Sequence, residues 1–96
     1  MDIDNHYKEK LITFISAFLP YTKIYIFGSR ARGSHHKTSD IDIALDNKDI
    51  IDPKIITQLK NSIDALNIPY KIDIVDINNI SEILKKQIER DKILWK

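Results

Sequence analysis

Ninety-six residues carrying 15 Lys and Arg against 14 Asp and Glu, net charge +1, make one small domain with no field for long nucleic acid. The chain has no cysteine, which excludes a disulfide framework or a Cys-based zinc site. With no long apolar span and no leader pattern, the expected setting is cytoplasmic, without a membrane segment and without direct nucleic-acid binding.

Residues 5–19 read as a helix with Leu11, Ile12, Phe14, Ile15, Phe18 and Leu19 as its apolar stripe, stopped by Pro20. Ile24-Tyr25-Ile26-Phe27 is a β-prone apolar run, so a buried strand is predicted over 23–27. Gly28 then allows a sharp turn and close approach of a ligand. Ser29 is a candidate N-cap for a short segment Arg30–Arg32, and Gly33 is a natural stop. Both glycines of the chain and two of its three arginines fall in this stretch, which points to a loop built around an anion. Free N–H groups at such a turn, with the Ser29 hydroxyl and the guanidinium groups of Arg30 and Arg32, suit phosphate oxygens.

His35 and His36 follow in the loop; with no further zinc ligands nearby they are expected to be solvated. Asp40-Ile41-Asp42-Ile43-Ala44-Leu45 alternates, so a strand over 40–46 puts Asp40, Asp42 and Ala44 on one face and Ile41, Ile43 and Leu45 on the other. Carboxylates at i and i+2 sit about 6–7 Å apart, close enough to converge on one Mg²⁺ or bracket two. A middle helix starts near Pro53, with Ile55, Ile56, Leu59, Ile63 and Leu66 facing inward. The strand predicted over 70–76 has Ile72 and Ile74 at core parity and Asp73 at the parity of Asp40 and Asp42; Asp76 falls at the other parity and is the weaker candidate. A last helix from Ser81, backed by Glu82, carries Ile83, Leu84 and Ile88 and ends near Arg90. Ile93-Leu94-Trp95 reads as a short edge strand or a surface for a partner.

Three carboxylates from two neighbouring strands beside a phosphate cradle describe a two-metal phosphoryl or nucleotidyl transfer site. An EF-hand starting at Asp40 is excluded, since it would need Gly and Glu where Leu45 and Ile51 stand. No Gly-Lys-Ser/Thr follows Gly28, which excludes a Walker A loop.

The string Phe27-Gly28-Ser29-Arg30-Ala31-Arg32-Gly33, with Ser39-Asp40-Ile41-Asp42-Ile43-Ala44-Leu45 ten residues beyond the Gly-Ser pair, resembles the signature of the minimal nucleotidyltransferases of the DNA polymerase β-like superfamily. The resemblance runs over nearly the whole chain and implies a single domain over 1–96. It implies the nucleotidyltransferase fold, α/β of the α+β kind, with a small mixed β-sheet and helices packed on one face. Gly28 and Ser29 would bind the triphosphate of ATP, Asp40 and Asp42 the metals (two Mg²⁺ ions), and Asp73 would complete the catalytic set. Minimal nucleotidyltransferases are commonly encoded with a HEPN-type toxin. The implied function is that of an antitoxin transferring AMP from Mg-ATP to a hydroxyl, by resemblance a tyrosine, on that partner. The alternatives are a binding-only antitoxin that masks the toxin and, weaker, a small-molecule transferase of the aminoglycoside-modifying sort. The short chain has no room for an acceptor domain, so the acceptor site is expected to be open or completed by another subunit.

Overall fold

The computed structural model describes residues 5–33 and 40–96. The elements in chain order are α1 (Asn5–Phe18), β1 (Lys23–Phe27), α2 (Gly28–Arg32), β2 (Ile41–Asp46), α3 (Pro53–Asp64), β3 (Ile72–Asp76), α4 (Glu82–Asp91) and β4 (Ile93–Leu94). The four strands form one mixed sheet in the order β3-β2-β1-β4, with β2 antiparallel to β1 and parallel to β3. His35 and His36 lie outside the described residues.

Local chemistry sets the helix limits. Pro20 follows α1, whose Leu11 and Ile15 are fully buried and which Ile12 and Phe18 flank. Asp52 caps α3 by accepting from the Lys54 N–H at 2.9 Å, with Pro53 in the first turn, where its missing N–H is not needed. Ser81 caps α4 by accepting from the Leu84 N–H at 3.3 Å. Within α4 the apolar residues divide: Leu84 and Ile88, four apart, share the inner face, while Ile83 turns outward and is 74% exposed.

The main core lies between one sheet face and the helices α1 and α3. Ile24, Ile26, Ile41, Ile43, Leu45 and Ile74 meet Leu11, Ile15, Leu59 and Ile63 there. Helices were expected on one face only, and α1 and α3 satisfy that. The other face is not wholly open, however: α4 covers it through Ile88, which packs with Ala44 and Ile77 against Tyr25, Phe27 and Val75. The reason is residue size and parity. Beyond Asp42 the face continues as Ala44, opposite Tyr25, an apolar patch that needs cover.

The chain end resolves the choice posed by Ile93-Leu94-Trp95. Ile93 and Leu94 pair antiparallel with Ile26 and Tyr25, and the Trp95 N–H donates to the Ile24 carbonyl at 2.8 Å. Trp95 therefore turns into the main core.

Candidate active site

Gly28 opens α2 directly from the end of β1, with φ of 74°. Only glycine adopts that conformation without strain. A second constraint acts at the same atom: a Cβ on Gly28 would collide with Asp42 Oδ2 and stand 3.2 Å from its Cγ. The register explains the contact, because Phe27 pairs with Asp42 across the antiparallel β1–β2 ladder. The glycine turn and the aspartate strand therefore meet at the carboxylate of Asp42.

The helix begins two residues earlier than expected. Phe27, in extended conformation, is the N-cap, and no side chain among the described residues caps the helix start; Ser29 lies inside α2 and does not cap it. Gly33 ends α2 as expected, in the left-handed conformation at φ 78°, and its N–H donates to the Arg30 carbonyl.

Asp42 and Asp73 are direct neighbours across the parallel β2–β3 pair, which sets their Cα atoms about 5 Å apart. Asp40 sits two residues before Asp42, immediately ahead of β2, and is half-buried. The sheet thus sets Asp42 and Asp73 side by side, with Asp73 outermost on an edge strand and exposed, and Asp40 ahead of the strand is near enough for its charge to act on Asp42. Burial raises the pKa of Asp42 above the usual carboxylate value, and the like charges of Asp73 and Asp40 raise it further, against the opposing pull of Arg32 and Arg30. As the side chains stand, no three acidic or imidazole groups among the described residues close around a common point. The donor chemistry nonetheless suits a hard cation: Asp42 and Asp73 stand side by side, the charge of Asp40 acts on Asp42, and Asp42 is disfavoured as an anion until a positive charge arrives.

The other candidates separate. Arg30, expected to reach phosphate, is 1% exposed and lays its guanidinium over the Tyr70 ring at 4.8 Å from the centroid. Its head is thereby buried against Tyr70, whose aromatic face favours a planar cation. Arg32 stays at the surface and donates from Nη1 to Asp91 Oδ2 at 3.0 Å. Asp76 belongs to the scaffold: its buried carboxylate accepts from the Ile51 N–H at 2.7 Å and the Asn78 N–H at 3.0 Å. Two residues of this region escaped sequence reasoning. Tyr70 and Asp91 lie 40 and 59 positions from the arginines they meet, and neither belongs to any local motif.

Among the described residues no helix is long and apolar enough to cross a membrane. Comparison with known proteins bears on this arrangement. The chain is 32% identical over 90 residues to the protein adenylyltransferase MntA of Shewanella oneidensis, covering 92% of this chain and 64% of that one. It therefore spans slightly under two thirds of that relative's length. A crystal structure of a toxin-antitoxin with AMP-PNP superposes with a TM-score of 0.75 at 30% identity, over 91% of this chain and 70% of the other. A structure of the tri-AMPylated Shewanella oneidensis HEPN toxin in complex with MNT antitoxin gives 0.73 at 26% identity, over 96% and 71%. Nucleotidyltransferases of this fold generally use a divalent metal. The family model described as "Polymerase beta, Nucleotidyltransferase" matches residues 9–96, and with the Gly28–Asp42 contact and the Asp42–Asp73 register in place, the chain belongs to that nucleotidyltransferase family.

Proposed function

We propose that this chain is a protein adenylyltransferase that moves AMP from Mg-ATP to a hydroxyl, a tyrosine by family resemblance, on a HEPN-type toxin, and so acts as its antitoxin. The observation that carries the reading is the seating of Gly28 against Asp42, with Asp73 in register beside it. That contact joins a phosphate-binding turn to a carboxylate set, and either half alone would be unremarkable surface. The relatives support the acceptor: one solved complex holds an ATP analogue, and another holds an AMPylated HEPN toxin.

Asp40, Asp42 and Asp73 would hold the divalent cations, two Mg²⁺ ions in this reading. When bound, such ions lower the pKa of an attacking hydroxyl and neutralise triphosphate charge. Gly28 and Ser29 bind the triphosphate through backbone N–H groups and the hydroxyl, and Arg32 reaches its outer phosphates. Asp73, exposed on the edge strand, is the candidate base that takes the acceptor's proton. The freed oxygen attacks the α-phosphorus in line, the bond to the bridging oxygen breaks, and pyrophosphate leaves with that electron pair. Arg30 stands behind the cradle and moderates the charge on Asp42. In this reading the acceptor hydroxyl is carried by the partner, in an ATP-containing cytoplasm.

Intact-mass spectrometry of a HEPN-type toxin after incubation with this protein and Mg-ATP is expected to show one or more added AMP groups. A toxin that stays unmodified while its toxicity is suppressed would give the function to binding alone.

A further inference from the structure

Arg32 is the last residue of α2, a helix of five residues that cannot by itself fix the direction of a long side chain at its end. The restraint comes from the far end of the chain. Asp91, the last residue of α4, accepts from Arg32 Nη1 at 3.0 Å through Oδ2 and from Arg90 Nε at 3.2 Å through Oδ1, so both of its oxygens are engaged. The Asp91 side chain is 10% exposed, whereas that of Arg32 is 49% exposed. The anchor is thus recessed and the anchored group reaches into solvent. Asp91 is itself held: it follows Ile88 by three positions on one helix face, and Ile88 is buried against Ala44, two residues beyond Asp42 on the same strand face. The anchor's position is therefore tied to the carboxylate strand.

A guanidinium has five N–H donors in a rigid fork, and Asp91 takes only one terminal nitrogen. Holding one tine of a planar fork narrows the directions open to the others. Arg32 also lies four residues after Gly28 on the same short helix, so its Cα stands one turn from the glycine that abuts Asp42.

We propose that Asp91 is a positioning residue for nucleotide binding, holding Arg32 by one nitrogen so that the rest of its guanidinium meets the β- and γ-phosphates of a nucleoside triphosphate. This rests on the nucleotide reading given above. It sets a selectivity: the pair acts on the outer phosphates and leaves a monophosphate unaffected.

Calorimetric titration of the whole protein with Mg-AMP-PNP, and competition with AMP, tests it. Asp91→Asn is expected to weaken AMP-PNP roughly three- to tenfold, the range of one oriented hydrogen bond, while AMP changes less than twofold. In an Arg32→Ala background the same substitution should have no further effect, and Asp91→Glu should recover part of the loss. Equal weakening of AMP and AMP-PNP would mean a merely structural role and overturn the proposal. Tighter AMP-PNP binding by Asp91→Asn would also overturn it, since Asp91 would then be withholding Arg32 from phosphate. If the unsubstituted protein binds no Mg-AMP-PNP, the nucleotide reading itself falls and this inference with it. Binding that Asp91→Asn leaves unchanged refutes the inference alone.

Discussion

Gly28 and Gly33 provide a matched pair of perturbations. Both have positive φ, 74° and 78°, so alanine at either costs about 1–2 kcal/mol for the left-handed conformation. In a domain of this size that lowers the melting temperature by roughly 4–16 °C. Their surroundings differ: a Cβ at Gly33 meets nothing within 4 Å, whereas at Gly28 it strikes Asp42 Oδ2 and crowds Cγ at 3.2 Å. The struck atom is the free end of a short side chain, which can rotate away, so Gly28→Ala should melt only slightly below Gly33→Ala. Activity should separate them. The displaced carboxylate is one of the three proposed to hold the cations, and removing one preorganised electrostatic group from an active site costs about 10²–10³ in rate. We expect Gly28→Ala to lose at least about a hundredfold in Mg-ATP-dependent AMP transfer, measured well below both melting points, and Gly33→Ala to stay within a few-fold of the parent. If the two variants retain equal activity, the Gly28–Asp42 contact does not couple the two halves of the site.

Asp42→Asn should abolish metal-dependent turnover, and in a chelator it should melt above the parent at neutral pH. Burial and the neighbouring carboxylates raise the folded-state pKa of Asp42, so its charge destabilises the fold at high pH and the difference should vanish as pH falls through the carboxylate range; a gap independent of pH would refute this. Asp76→Ala leaves the buried Ile51 N–H without its acceptor and should cost about 1–3 kcal/mol by chemical denaturation, with Mg-ATP affinity retained below the transition. Arg30→Lys keeps the charge but loses the planar stack on Tyr70; with Arg30 buried it should lower stability by up to about 2 kcal/mol, and an unchanged denaturation midpoint would show that the stack contributes nothing.

What could be read from the sequence was periodic or local. Alternation over Asp40–Leu45 and Ile72–Val75 put Asp42 and Asp73 on one face, and the register pairs them directly. Pro53 and Ser81 announced helix starts that the structure realises with Asp52 and Ser81 as caps. What could not be read depended on which surfaces meet. Nothing in residues 82–91 says that α4 would close over Ala44, because burial of that face follows from the three-dimensional neighbourhood of a small residue beside Tyr25 and Phe27. The fate of Arg30 was hidden for the same reason: an arginine beside a glycine turn has the same local sequence whether it faces an anion or an aromatic ring. The cap was misplaced by two positions, since extended Phe27 takes the capping place expected of Ser29.

The position of the site is set by the core more than by the site's own residues. Asp42 faces Gly28 because Phe27 pairs with Asp42, and that register is the one in which Ile24 meets Leu45 and Ile26 meets Ile43 on the opposite face. A slip of one residue would send Asp42 into the core and the isoleucines into water, a cost of several buried side chains at about 1.5–3 kcal/mol each. The parallel partner adds the same restraint through Ile41 opposite Ile72 and Ile43 opposite Ile74. The carboxylates themselves repel one another and contribute no cohesion without a cation. Their spacing is therefore imposed from beneath, by buried isoleucines, and the electrostatic strain at Asp42 persists because the apolar register cannot shift to relieve it.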